Sequence, residues 1–184
     1  VVRRRFATVL NLGAHHGVVG RRIAAMPGVE KLVETDLSPQ LLAQCSGLKV
    51  LADEEALPFA SASFDLVVSG LALQHVNDLP GTLIQIVRTL RPDGLMLAAL
   101  LGGSTLRELR EAFLEAEAEV ESGASPRVAP FADVRDLGAL LQRAGFALPV
   151  ADTDTVQVAY ATPLALMREL KAMGAGNVLL SRRR

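Results

Sequence analysis

The feature that most constrains the fold of this chain is a regular alternation of short apolar runs with helix-like segments. The apolar runs cover residues 8–12, 31–34, 48–51, 66–69 and 95–101. Segments with apolar residues at helical spacing cover residues 17–26, 39–45, 77–90, 106–122 and 134–144. Strands that alternate with helices in this way predict an α/β fold with a doubly wound, mostly parallel sheet, whose strands are buried on both faces.

The C-terminal third predicts a helical layer with one more strand. Residues 152–160 alternate in the manner of a strand, and residues 164–173 read as a helix that ends before Gly174. Glycine and proline within residues 122–131 indicate a loop, which serves as a linker or as a lid. We expect one domain over residues 1–184, in which 1–101 form a cofactor-binding core and 102–184 a helical cover with a C-terminal strand and helix.

Composition excludes several classes of protein. Among 184 residues, 19 basic side chains nearly balance 20 acidic ones, so no overall field attracts nucleic acid or a membrane surface. One tyrosine and no tryptophan give little basis for stacking on nucleobases. The single cysteine, Cys45, excludes an internal disulfide and is typical of a reducing compartment, which predicts a cytoplasmic protein. Apolar runs far below about 20 residues predict no membrane insertion.

A glycine turn and two acids follow successive strands of the predicted sheet. Gly13 and Gly17 suit a tight turn after the first strand, because glycine tolerates positive φ and has no side chain. Asp36 ends the second strand about 20 residues beyond that turn, where a carboxylate can bind the hydroxyls of a ribose. The alternative is that Asp36 caps the next helix. Asp53 follows the third strand and either approaches an adenine or is an ordinary solvated acid.

Two further stretches resemble the class I methyltransferase family. They are Leu-Pro-Phe-Ala-Ser-Ala-Ser-Phe-Asp-Leu-Val-Val-Ser at 57–69 and Leu-Arg-Pro-Asp-Gly-Leu at 90–95. The resemblance covers roughly residues 8–101 and implies a Rossmann-like fold that binds S-adenosylmethionine, with Gly13 and Gly17 shaping the turn at the methionine end. The cofactor-binding residues that it implies are Asn11, Gly13, Ala14, His15, Gly17, Asp36, Leu37, Asp53, Glu54, Ser69 and Gly70.

Motifs at residues 102–106, 143–146, 152–154 and 173–174 are similar to those of the complex I assembly factor 5 branch. The malonyl-carrier-protein methyltransferases of biotin synthesis are a more distant branch. Membership of the first branch implies S-adenosylmethionine binding together with hydroxylation of an arginine on a complex I subunit, in the mitochondrial matrix if the source is eukaryotic. Three functions stay open: methyl transfer to a small-molecule or protein acceptor, arginine hydroxylation, and a non-catalytic assembly scaffold.

The chain departs from the family pattern at several positions. Asn11 replaces an acid, and His15 replaces the middle glycine of the turn, so weaker cofactor binding is expected. Gln74 and His75 stand where the branch has histidine and tryptophan. The family's first helix and last antiparallel strand are expected to lie outside this chain. His75 is either a general base or a packing residue, so no catalytic residue is assigned, and the histidines predict no metal site.

Overall fold

The five predicted strands form one parallel sheet in the computed structural model, which describes residues 4–120 and 131–175. The strands are β1 (Thr8–Leu12), β2 (Lys31–Asp36), β3 (Leu48–Leu51), β4 (Phe64–Gly70) and β5 (Leu90–Ala99). Their order is β3-β2-β1-β4-β5, and every neighbouring pair is parallel. The predicted α/β fold with a doubly wound parallel sheet is therefore confirmed.

The helices follow the predicted segments closely. They are α1 (Val18–Ala24), α2 (Pro39–Leu42), α3 (Leu79–Thr89), α4 (Arg107–Val120), α5 (Val134–Ala144) and α6 (Pro163–Ala172), with a 3-10 helix over Leu73–His75. Proline in the first turn suits α3 and α6, because the first N–H groups of a helix have no intrahelical partner. No helix in the described ranges is both long and apolar enough to cross a bilayer.

The chain divides into two units, each with its own internal contacts. Residues 1–101 with 135–151 form the unit that contains the sheet, and residues 102–134 with 152–184 form the other. In the second unit the Arg110 guanidinium donates to the carbonyls of Gly103 and Thr105 at 3.4 and 3.2 Å. This arginine therefore holds the loop before α4 against the first turns of that helix.

Both faces of the sheet carry apolar layers. Leu10 and Leu12 of β1 pack on one face with Leu83 and Ile86 of α3. Val9 of β1 points to the opposite face, where it belongs to a second cluster that includes Ile23 of α1. Successive residues of a strand point to opposite faces, so the apolar residues Val9, Leu10 and Leu12 of β1 cover both. This placement of β1 sets the start of the turn that follows it.

The outer strands differ from the sequence-based expectation. The apolar runs predicted burial on both faces, but Leu48 and Leu51 of β3 are 57% and 59% exposed, and Leu97 of β5 is 52% exposed. The prediction was wrong for these strands because β3 and β5 lie at the two edges of the described sheet, where α2 and α3 cover them only in part. The apolar runs therefore predicted the positions of the strands correctly but not how much of each strand is buried.

The predicted strand over residues 152–160 is also wrong. The segment has no regular secondary structure, and Val156 and Val158 are 81% and 64% exposed. Alternation of apolar and polar residues gives a strand two different faces, but a strand also needs a neighbour to which its backbone groups hydrogen-bond. No such neighbour pairs with this segment within the described ranges.

The pairing of β4 with β5 contains a shift in register. Phe64 pairs with Leu90, and Leu66 pairs with Leu95. Asp65 on β4 therefore lies opposite the segment Arg91–Gly94 of β5. Asp65 accepts hydrogen bonds from Arg91 Nη1 and from the backbone N–H of Thr8, both at 2.8 Å. Burial acts to raise the pKa of Asp65, but these donors outweigh it and lower the pKa.

We expect Asp65→Asn to lower the free energy of unfolding by about 1 kcal/mol near neutral pH, since Arg91 is partly exposed and water competes for it. Because the folded-state pKa is lowered, this stabilisation is present above the unfolded value of about 3.9 and disappears as the pH falls through the folded value. Urea unfolding of both proteins across acidic pH measures the difference. The same loss at neutral pH and below the folded pKa would contradict the ionic origin of the effect.

Candidate functional site

The turn between β1 and α1 is held against the end of β2. Gly13 and Gly17 have φ values of 65° and 68°, so both need the conformation that glycine adopts readily. The N–H of Ala14 donates to the carbonyl of Thr35 at 2.7 Å, and the N–H of Gly17 donates to the carbonyl of Ala14 at 2.8 Å. The sequence-predicted glycine turn is thus a closed loop at the carboxyl edge of the sheet.

Gly13 has no room for a side chain. A Cβ atom added there would lie 2.2 Å from the Cβ of Ala72 and 3.2 Å from Glu54 Oε1. The close contact is with a buried alanine directly before the 3-10 helix, which cannot rotate away as a long side chain can. The backbone at Gly13 therefore fixes the distance between the turn and the segment that follows β4.

We expect Gly13→Ala to lower the free energy of unfolding by at least about 3 kcal/mol, because it combines overpacking with an unfavourable positive φ. Gly102→Ala is the matched control, since an added Cβ at Gly102 meets nothing within 4 Å. Chemical denaturation of both variants compares the two losses. Equal small effects would show that the turn does not pack as described.

His15 occupies the middle of this turn. Its φ of 49° places a non-glycine residue in the left-handed region, which histidine adopts more readily than branched residues do. Its N–H donates to Asp36 Oδ2 at 2.8 Å, and its ring Nδ1 lies 4.0 Å from the same oxygen. With 45% of its side chain exposed, the imidazole lies beside the carboxylate at the surface.

Asp36 is the acid at the end of β2. Its Oδ1 accepts from the N–H of Ser38 at 2.8 Å, and its Oδ2 accepts from His15. The N-cap of α2 is Ser38, whose hydroxyl accepts from the N–H of Leu41 at 3.3 Å, so Asp36 is not itself the cap. Each carboxylate oxygen has two lone pairs and keeps the capacity to accept one further hydrogen bond.

Several buried acceptors in the described residues have no partner, and Asn11 and Ser69 carry two of them near this edge. Asn11 Oδ1 and Ser69 Oγ both lack a hydrogen bond, although each residue is only 1% exposed. Ser69 lies opposite Leu12 in the pairing of β4 with β1. The sheet order changes direction between these two strands, and ligands of open parallel sheets bind beyond the carboxyl ends at such a point. Uncompensated buried polar atoms are costly, so both suit a ligand or a water.

The remaining predicted residues differ in whether they contact the turn. The carboxyl of Glu54 faces Gly13, and its pKa is raised by burial and by the charges of Asp36 and Asp53. Asp53 is exposed and accepts the N–H of Glu55 at 2.8 Å, which supports its own loop. The side chain of Leu37 is 60% exposed directly after Asp36. Glu54 thus belongs to the central contacts, whereas Asp53 and Leu37 lie outside them.

The segment after β4 places a glutamine and a histidine together. Gly70 ends β4, and Gln74 Nε2 donates to the carbonyl of Leu71 at 2.6 Å. The same nitrogen lies 3.2 Å from His75 Nε2. Partial desolvation of the ring and repulsion from His15 lower the pKa of His75. The neutral imidazole is therefore the prevailing form near neutral pH, and it accepts from Gln74.

Sequence reasoning missed Glu34, which is fully buried and accepts from Asn11 Nδ2 at 3.2 Å. The signal was present, because a glutamate inside an otherwise apolar strand needs buried donors. Cys45 was also missed as a neighbour of the turn: its Sγ lies 3.7 Å from the carbonyl oxygen of His15. Across the described ranges, no three His, Cys, Asp or Glu side chains are grouped as a metal site.

Comparison with known proteins defines the class. The sequence profile of the methyltransferase domain matches residues 10–98. Among solved structures, a methyltransferase-fold protein from Bacillus halodurans is 21% identical with a TM-score of 0.63, over 82% of this chain and 66% of that one. The methyltransferase CalH in complex with SAH is 20% identical with a TM-score of 0.58, over 76% and 44%. This chain belongs to the class I methyltransferase family.

Within that family, curated relatives are similar over nearly the whole chain. The human mitochondrial arginine-hydroxylase NDUFAF5 is 42% identical over 99% of this chain and 54% of its own length. A malonyl-[acyl-carrier protein] O-methyltransferase from Gallionella capsiferriformans is 35% identical over 96% of this chain and 63% of its own length. These identities confirm the prediction that this chain is more similar to the complex I assembly factor branch than to the malonyl-carrier-protein methyltransferases. The chain spans about half the length of the first of these relatives.

Proposed function

We propose that the chain binds S-adenosylmethionine at the carboxyl edge of the sheet and transfers its methyl group to an acceptor. One observation carries the proposal: the glycine turn after β1 and the carboxylate of Asp36 are joined there by the hydrogen bond from His15 N–H at 2.8 Å. The match to the methyltransferase domain over residues 10–98 supports the choice of cofactor. The unpartnered buried oxygens of Asn11 and Ser69 give the site polar atoms that a ligand can satisfy.

Different residues at this edge would bind different parts of the cofactor. Asp36 would accept from the ribose hydroxyls with the lone pairs that His15 and Ser38 leave free. Asn11 and the turn from Gly13 to Gly17 would hold the methionine end, because backbone N–H groups at the start of α1 favour a carboxylate. Leu37 offers an exposed apolar side chain to the adenine.

Bound S-adenosylmethionine would supply an electrophilic methyl group on a sulfonium sulfur, and the electrons of the carbon–sulfur bond would stay on sulfur when an acceptor takes that group. The reaction depends mainly on positioning and exclusion of water. The protein's contribution is therefore a turn fixed by Gly13 against Ala72 and a partly buried Glu54, whose carboxylate would be favoured next to a positive sulfonium.

A second candidate is hydroxylation of an arginine on a protein acceptor. The 42% identity to the human arginine-hydroxylase over 99% of this chain favours it. On this alternative the acceptor is a protein subunit, and the resemblance to the complex I assembly factors points to complex I. For methyl transfer, the acceptor is either a small molecule or a protein. If the chain neither methylates nor hydroxylates, the third function, that of an assembly scaffold, is the one left.

Calorimetric titration with S-adenosylmethionine tests the proposal, with Asp36→Asn beside the unmodified chain. We expect the variant to bind about tenfold to a hundredfold more weakly, since it loses an ionised acceptor. Asp93→Asn is the control: Asp93 is exposed at φ 61°, and asparagine tolerates that conformation. Absence of binding by the unmodified chain, or equal affinities of all three proteins, would contradict the proposed site.

We also expect His15→Gly to bind S-adenosylmethionine roughly threefold to tenfold more tightly, because it removes the imidazole from beside Asp36. Stability should change little, since relief of a positive φ is offset by the greater freedom of glycine in the unfolded chain. Calorimetry and thermal unfolding measure the two quantities. Weaker binding by the glycine variant would show that the imidazole contributes to the site.

The class of reaction is read from the mass of the acceptor. Incubation of an arginine-containing complex I subunit with the chain and S-adenosylmethionine adds a methylene unit if methyl transfer occurs. Hydroxylation, assayed with dioxygen and a reductant, adds an oxygen atom. Mass spectrometry distinguishes the two.

A further inference from the structure

The buried carboxylate of Glu34 accepts hydrogen bonds from β1 and from the loop between α2 and β3. Its Oε1 accepts from Asn11 Nδ2 at 3.2 Å, and its Oε2 accepts the N–H groups of Ser46 and Gly47 at 2.9 and 2.6 Å. Glu34 is 0% exposed. A buried carboxylate needs several donors, and three N–H groups from β1 and the α2–β3 loop supply them here.

Glu34 also fixes α1. A Cβ atom added to Gly20 would lie 1.7 Å from Glu34 Oε1, so the helix backbone packs directly on the carboxylate. Beside it, Cys45 lies against the turn, with Sγ 3.7 Å from the His15 carbonyl oxygen and 3.4 Å from a Cβ added to Gly17. Burial raises the pKa of the Cys45 thiol, and the charge of Glu34 raises it further. Ser46, which donates to Glu34, directly follows Cys45, so the carboxylate holds the residues that pack on the end of the turn, and through Asn11 it holds the strand that leads into the turn.

Asn11 stands where the family pattern has an acid. An acid at that position would face Glu34 in the pairing of β1 with β2, where Asn11 now donates. Two buried carboxylates at hydrogen-bond distance cannot both ionise without a large penalty. The amide at position 11 and the acid at position 34 are therefore chemically complementary: the amide donates and the carboxylate accepts.

We infer that Glu34 is a positioning residue for the proposed cofactor site, and that Asn11 and Glu34 form an exchanged pair in which the negative charge lies on β2 instead of β1. The inference rests on the proposed function for its link to S-adenosylmethionine. In this pair Glu34 orients Asn11 so that Nδ2 faces the carboxylate and Oδ1 stays free. Glu34 itself touches neither cofactor nor acceptor; it acts through Asn11, Gly20 and Cys45.

The exchange variant tests the pair. Asn11→Asp alone places a second carboxylate beside Glu34, and Glu34→Gln alone replaces the charged acceptor by an amide. In the double variant the introduced glutamine amide donates to the introduced carboxylate, while its oxygen accepts from Ser46 or Gly47. Reversal of the donor and acceptor roles therefore restores the contact. Glu30→Gln is the control, because Glu30 is an exposed acid directly before β2.

Hydrogen exchange of the backbone amides in residues 11–17 is measured for the unmodified chain, the two single variants, the double variant and the control, all without cofactor. We expect each single variant to lose protection in this turn by about tenfold or more, and the double variant to regain most of it. The segment Arg107–Val120 of the other unit should be unchanged. If the losses of the single variants simply multiply in the double variant, the exchanged pair is wrong.

The affinities for S-adenosylmethionine of the same five proteins complete the test. If the turn is positioned by the pair, both single variants bind more weakly than the unmodified chain, and the double variant recovers. Recovery of protection without recovery of affinity would overturn the positioning role and leave only a structural one. If the unmodified chain itself does not bind, the proposed function fails, and protection of residues 11–17 still decides whether Glu34 and Asn11 hold the turn as a pair.

Discussion

Two hydrogen bonds tie the turn after β1 to the end of β2, and the candidate site depends on them. Ala14 N–H donates to the carbonyl of Thr35 at 2.7 Å, and His15 N–H donates to the carboxylate of Asp36 at 2.8 Å. The first bond continues the pairing of the strands into the loop. The second fixes a side chain at the carboxyl edge, where open parallel sheets bind their ligands. Packing of Gly13 on Ala72 places the turn against the segment that follows β4.

Glu34 gives this arrangement its buried support. A charge inside an apolar layer is stable only when donors surround it, so the carboxylate constrains every group that donates to it. Here those groups come from β1 and from the loop that enters β3, while α1 packs on the carboxylate through Gly20. Replacement of the family acid by Asn11 then has a physical reason, because its neighbour on β2 already carries the charge.

Much of this architecture could be predicted from the sequence, because it depends on local patterns. The apolar runs at residues 8–12 and 48–51 matched β1 and β3 at both ends, and the glycine turn and Asp36 lie where their spacing indicated. What could not be predicted depends on contacts between distant residues. The sequence does not show that Glu34 faces Asn11, that the helices leave Leu97 exposed, or that residues 152–160 have no strand partner.

We propose that the turn after β1 and the carboxylate of Asp36 form one binding site for S-adenosylmethionine. A crystal structure of the chain with S-adenosylhomocysteine tests this most directly. S-adenosylhomocysteine is S-adenosylmethionine without the methyl group that is transferred. We expect an Asp36 oxygen to accept from a ribose hydroxyl and Asn11 Oδ1 to gain a donor from the ligand or an ordered water. A ligand bound elsewhere, with Asp36 still contacted only by His15 and Ser38, would contradict it.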